Sequence, residues 1–239
     1  MRPSPAKIWR RRLLAFAAVV VVLVAIFLFW IRESSFFSVD KVEISGVTVN
    51  QPAVIAALQG EAGKMTTLHV RDQALRDAVA GFPTVGALKV DANPPHELKI
   101  QVIERTPVAD GTLNGDRVPI SADGYVLRGM PISSKLIPME LSSKITGPRL
   151  IGPDLDQAEL LGALPDQLRS GVKDSREDTE AGGVVVDLRN GIELRMGDGT
   201  EAAAKWASAA AVLAKPDLGH PAYIDVSVPT RPVAGGGQT

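Results

Sequence analysis

The chain has 239 residues, 26 Lys and Arg against 27 Asp and Glu, a formal net charge of −1 and no cysteine. With no disulfide and no thiolate chemistry available, a chain of this length must rely on an apolar core, which its 45% hydrophobic residues can supply. Arg2, Lys7, Arg10, Arg11 and Arg12 precede residue 32 and no acid does, so the remainder holds 21 basic against 27 acidic residues, which argues against nucleic acid or an anionic membrane surface as its main partner.

Residues 1–12 form a basic tail, and residues 13–31, LLAFAAVVVVLVAIFLFWI, carry no charge. At ~1.5 Å per residue a helix over this run is about 28 Å long, close to the ~30 Å hydrocarbon core of a bilayer. The spacing therefore predicts a transmembrane helix, with Trp9 and Trp30 at its two interfaces. The basic residues before it keep the N-terminus in the cytoplasm and send residues 32–239 across the membrane. A cleaved signal peptide or a twin-arginine signal is the alternative, but the run exceeds the ~7–15 residues of a signal h-region. No Ala-x-Ala follows it either, so it is expected to stay as an anchor. Residues 32–38 make a tether too short for the next domain to leave the bilayer.

Residues 39–49 alternate apolar and polar and read as a strand. Asn50 is expected to cap a helix over 51–59, with Pro52 in its first turn and Gly60 as its stop. A second helix is expected over 72–80, where Leu75, Ala78 and Val79 share a face and Gly81 ends it. Strands follow at 85–90 and 97–104, joined through Asn93-Pro94-Pro95. Strand, helix, helix, strand, strand must bury two helical stripes on one face of a small sheet, so this is an α+β unit.

These residues carry a family resemblance. Phe37-Ser38-Val39-Asp40-Lys41-Val42-Glu43-Ile44-Ser45-Gly46 resembles the opening of a POTRA domain. Phe82-Pro83-Thr84-Val85, Pro94-Pro95-His96-Glu97-Leu98 and Ile103-Glu104-Arg105-Thr106-Pro107-Val108-Ala109 resemble the remainder of the POTRA domain in the bacterial cell-division family FtsQ, also called DivIB. The resemblance implies a POTRA domain over 39–105 and an FtsQ-type mixed β-domain with a C-terminal edge strand over 106–228.

Asp123-Gly124, in Ser121–Leu127, is expected as a turn into a strand, while residues 128–150 give only weak strand signals and 110–150 stay largely unassigned. A helix is expected over 155–168, broken by Pro165, and residues 173–180, KDSREDTE, read as a solvated loop. The runs 184–188 and 192–196 flank Asn190-Gly191, which predicts a hairpin whose two-residue turn has positive φ at both positions. A helix over 201–214 follows, with Thr200 as its cap and Trp206, Ala209, Ala210 and Leu213 as its core stripe. Residues 222–228 alternate again, Pro229 and Pro232 are expected to stop the strand, and residues 229–239 read as a loose Gly-rich tail. The order of these segments is similar to that of the same family's β-domain.

The resemblance implies a non-enzymatic assembly factor of the division septum, single-pass in the plasma membrane, with no cofactor. It implies docking of a strand from an FtsB (DivIC)-type protein, joined by an FtsL-type protein, on an exposed last strand: Tyr223, Ile224, Asp225, Val226, Ser227 and Val228. The physics is β-strand addition, in which main-chain hydrogen bonds give affinity and alternate side chains give specificity. The chain departs from the family in its tail, Pro232-Val233-Ala234-Gly235-Gly236-Gly237, where relatives often carry an aromatic residue.

Other chemistry finds less support. His69, His96 and His220 are far apart in sequence with no acids at ligand spacing, so no metal site is expected. Ser170-Gly171-Val172-Lys173 matches the Ser-x-x-Lys nucleophile motif, which would make this a membrane-tethered cell-wall enzyme, but Ser-Asp-Asn and Lys-Thr-Gly are absent. A POTRA module of an export system would need repeated POTRA units or a barrel, and neither is legible. Glu104-Arg105 is expected either as an ion pair at the domain junction or as a partner contact.

Overall fold

A computed structural model describes residues 5–27, 35–113, 115–141, 145, 147–216 and 219–236. It is α+β, and it divides into two compact units, Met1–Glu104 and Arg105–Thr239.

The first unit begins with helix α1, Pro5–Ile26. Among the described residues no helix is long and apolar enough to cross a membrane. Helix α1 holds residues 13–26 of the expected span, and residues 28–31 lie outside the described residues. Its apolar side chains are exposed all along, Leu14, Phe16 and Val21 among them.

Strand β1 (Lys41–Ser45), helices α2 (Gln51–Ala62) and α3 (Asp72–Val79), and strands β2 (Val85–Asn93) and β3 (Glu97–Glu104) complete this unit. The sheet order is β1-β3-β2, with β3 parallel to β1 and antiparallel to β2. Val54 and Leu58 of α2 and Leu75 of α3 pack with Leu98, Ile100 and Val102 of β3 in one apolar core. Two local expectations fail here. Helix α2 runs through Gly60 to Ala62, and Asn50 makes no side-chain cap bond, standing instead in the left-handed region at φ 53°. Ala62, buried in the same core as Val54 and Leu58, holds the helix past a glycine that propensity alone would make a stop.

The second unit holds an eight-stranded sheet. Its strands are β4 (Pro107–Leu113), β5 (Asp116–Ser121), β6 (Ile137–Met139), β7 (Val172–Asp178), β8 (Gly183–Leu188), β9 (Glu193–Gly197), β10 (Tyr223–Asp225) and β11 (Val233–Gly235). Helices α4 (Pro153–Gly162), α5 (Asp166–Arg169) and α6 (Ala202–Leu213) complete it. The order across the sheet is β11-β10-β9-β8-β7-β6-β4-β5. Val184 and Val186 of β8, Leu194 and Met196 of β9, and Ile224 of β10 share a core with Leu160 and Leu161 of α4 and Trp206 of α6.

Buried polar groups stitch this core where the ladder is thin. Strand β6 meets β7 at one residue pair, Met139 with Ser175. There Gln157 of α4 donates to the Glu140 carbonyl at 3.0 Å and accepts from the Ser175 hydroxyl at 2.9 Å. The Trp206 indole donates to the Leu160 carbonyl at 2.7 Å, tying α6 to α4 and placing Trp206 in the core, as its helical spacing suggested. Lys205 is buried and donates to the carbonyl and carboxylate of Asp198 at 2.9 and 2.7 Å. The Lys205 ammonium, followed by the Thr200 hydroxyl, holds the Asp198 carboxyl down at about 2.

Three more expectations are corrected. Residues 173–180 are not a loop, because Lys173 to Asp178 belong to β7 and pair with β8. The hairpin turn has positive φ at Gly191 alone, so Leu188–Gly191 is not the two-residue turn expected. Its Gly191 N–H bonds Leu188 O at 3.0 Å, and the Asn190 side chain accepts from Ile192 N–H at 3.2 Å. Thr200 does not cap α6; its hydroxyl bonds Asp198 instead.

Candidate docking edge

The residues singled out for partner binding begin in β10. Ile224 and Val226 are fully buried, while Tyr223 and Asp225 lie half-buried on the sheet face opposite the core. Parallel pairing with β9 sets Tyr223 beside Glu193, Ile224 beside Leu194 and Asp225 beside Arg195. The Val226 N–H adds a bond to Arg195 O at 2.9 Å. Regular strand stops at Asp225 because its carboxylate accepts from the backbone and hydroxyl of Ser227, at 2.9 and 2.7 Å, and turns the chain. Ser227 and Val228 therefore lie beyond the ladder, with Val228 exposed.

The expected bare edge is absent. The outer side of β10 is occupied by β11, antiparallel, with Tyr223 opposite Gly235, Ile224 opposite Ala234 and Asp225 opposite Val233. The Ala222 N–H bonds Gly235 O at 2.9 Å. Pro229 and Pro232 do not end β10, which stops at Asp225; they sit in the turn that brings the chain back, where the Arg231 N–H bonds Val228 O at 3.0 Å. Three residues, Val-Ala-Gly, carry no alternation from which β11 could be read. Gly235 is bare for a reason: a Cβ there would lie 2.6 Å from the Tyr223 hydroxyl oxygen. The terminal strand of the sheet at this end is thus β11, whose Val233 and Ala234 are exposed.

Beside this end the outer face is charged. The Arg195 guanidinium stacks on the Tyr223 ring at 3.8 Å, and its Nε is buried without a hydrogen-bond partner among the described residues. Val185 of β8 is fully buried on this face, paired in register between Arg176 and Arg195, whose stems can cover it. Arg176 reaches Asp187 at 2.6 Å, Glu193 at 3.1 Å and Asp178 at 3.5 Å. Burial alone pushes the Arg176 pKa down, but bonds to Asp187 and Glu193 outweigh it and the net shift is upward. Burial and the neighbouring Asp174 carboxyl raise Asp187. Charged faces steer and orient association more than they add affinity.

At the far end of the sheet, β5 is covered differently. Ile120 bridges Val126, and the Leu127 N–H bonds Pro119 O at 2.8 Å. Val126 and Leu127 are themselves buried in the core. Arg105 stacks on Tyr125 at 3.7 Å and pairs with Asp123 at 2.8 Å. Glu104 instead accepts from the Thr48 hydroxyl and the Thr48 and Val49 amides. The expected pairing of Glu104 with Arg105 is thus replaced by bonds within each unit.

The Ser-x-x-Lys match does not assemble a nucleophile and base. Ser170 follows α5 and lines a cavity with Gly171, Leu188 and Trp206. Lys173 lines a separate furrow with Asp110, Arg117 and Arg176 and pairs with Asp174 at 3.2 Å.

Comparison with known proteins covers most of the chain. Residues 112–227 match the family model described as cell division protein FtsQ/DivIB, C-terminal. The chain is 26% identical over 226 residues to a protein named cell division protein FtsQ from Streptomyces venezuelae, covering 91% of this chain and 81% of that one. It is 26% identical over 254 residues to a protein of the same name from Streptomyces collinus, covering 98% of this chain and 93% of that one. The family match takes in β10 and ends at Ser227, leaving β11 outside it.

Proposed function

Starting from the chain's membership of the FtsQ/DivIB family of cell-division proteins, we propose a membrane-anchored, non-enzymatic assembly factor of the division septum. In this reading residues 1–12 stay in the cytoplasm, 13–31 span the membrane, and 39–105, a POTRA domain, and 106–228, the β-domain, lie outside. The exposed apolar side chains of α1 support the anchor: Leu14 and Phe16 are each 69% exposed, a condition suited to lipid and not to water.

The protein recruits FtsB (DivIC)-type and FtsL-type membrane proteins. An extended segment of the FtsB-type protein joins the large sheet at its C-terminal end, where Tyr223 to Val228 lie. The single observation that carries this is the contrast in how the sheet ends. One end is covered along Pro119 to Ser121 by the segment carrying the buried Val126 and Leu127, while the other finishes, among the described residues, in a three-residue strand with no strand on its outer side. An open strand edge is a template for another chain.

Site-specific photo-cross-linking in dividing cells tests the reading. A photoreactive residue at Tyr223, Val228 or Val233 is expected to trap the FtsB-type protein, and one at Arg117, in β5 at the other end of the sheet, is not. Cross-links from Arg117 alone would refute the assignment.

A further inference from the structure

The strand that closes the C-terminal end contributes nothing to the core. Val233 is 56% exposed and Ala234 is exposed, whereas Ile224 and Val226 are fully buried. Strand β10 is seated by those two side chains and by the β9 ladder, without help from β11. What holds β11 is a ladder of three residue pairs and the Tyr223 ring lying over Gly235. It returns through the turn at residues 226–232, and a shallow groove runs between that turn, at Pro229 and Pro232, and Ala204, Ala207 and Ala211 of α6. The part of the chain matched by the family model is complete before β11 begins.

We infer that β11 is a resident strand occupying the outer edge of β10, and that a partner's extended segment docks by displacing it. This rests on the strand-addition reading above and says where the guest pairs: on β10, not outside β11. The edge already shows what it accepts, an antiparallel extended backbone. The resident sets a small residue, Ala234, opposite Ile224. A guest with larger apolar residues at alternate positions gains burial that the resident lacks, in addition to an equivalent ladder. The resident has the advantage of its tether, since a short linker holds it at an effective concentration in roughly the millimolar range. It thereby reduces the apparent affinity for a guest by the fraction of time the edge is free. The strap is a threshold: it keeps an aggregation-prone edge paired until a better strand arrives.

The test measures binding of the extracytoplasmic segment of the FtsB-type protein from the same cell to the full chain in detergent. It compares the parent with a chain ending at Val228 and with Gly235→Val, whose added side chain must push against Tyr223. Both altered chains are expected to bind at least about tenfold more tightly than the parent, since the occupied fraction is removed. Unchanged affinity in both overturns the strap. Lost binding in both, with amide protection of β8 and β9 intact, shows that β11 is itself the docking edge and also overturns it. Absence of binding in every form, parent included, defeats the strand-addition reading beneath it.

Discussion

Both ends of the large sheet are closed by a short segment of the chain's own backbone, and the two closures differ in what stands behind them. At β5 the closing residues Val126 and Leu127 are buried, and the adjoining Tyr125 lies under Arg105. At β10 the closing strand has exposed side chains, and the glycine within it is there to let a tyrosine ring lie flat. Backbone ladders are nearly interchangeable, because every strand offers the same donors and acceptors. Buried side chains are not, so the first closure is permanent and the second can be exchanged.

The comparison breaks most readily at Leu127. Leu127→Ala removes a fully buried side chain and is expected to cost about 2–4 kcal/mol in denaturant unfolding. A loss under about 0.5 kcal/mol, the size of an ordinary surface change, would show that the β5 end is not anchored by its core contacts. Gln157→Ala tests whether the centre of the sheet is held by its polar stitch. It strands the Ser175 hydroxyl and Glu140 carbonyl, with an expected cost of about 1–3 kcal/mol read by the same unfolding curves.

The floor under the exchangeable end can be probed through pH. The Asp198 carboxyl, held at about 2 by Lys205, has a folded pKa below its ordinary value. Its contribution is therefore fully present above ~pH 4, the ordinary carboxylate range, and is lost as pH falls through about 2. Asp198→Asn is expected to flatten the stability profile of the parent between those limits; identical profiles would show that the pair does not hold α6. The smallest effect belongs to β11 itself. Val233→Ala is expected to change stability by less than about 0.5 kcal/mol, since the side chain is exposed. A larger loss would mean the strap is anchored after all.

The same contrast explains what could be read in advance. Strand β10 was legible because Ala222, Ile224, Val226 and Val228 alternate with polar residues, and the first unit because its two helical stripes and the strand at 97–104 are strongly periodic. Strand β7 was hidden because Lys173 to Asp178 are all polar: Asp174 and Arg176 look outward, and the inward Ser175 is satisfied by Gln157. A register shift between Val172 and Asp174 also breaks the period of two. The β4–β5 hairpin escaped because Asp110 and Gly111 sit mid-strand. Asp110 is buried there against Arg117, and Gly111 leaves room for Ile120 and Leu141. Strand β11 has no pattern at all, because its pairing depends on Tyr223 and not on its own residues. Family resemblance pointed to the C-terminal end of the sheet, but an uncovered edge cannot be read from alternation, and β11 covers the one expected there.

Amide hydrogen exchange across the full chain, with and without the extracytoplasmic segment of the FtsB-type protein, probes the proposed docking end most directly. On binding, the amides of Tyr223 to Val226 should gain protection, those of Val233 to Gly235 should lose it, and Tyr125 to Leu127 should stay as they were. Protection gained at Tyr125 to Leu127, with the C-terminal end unaltered, would contradict the account.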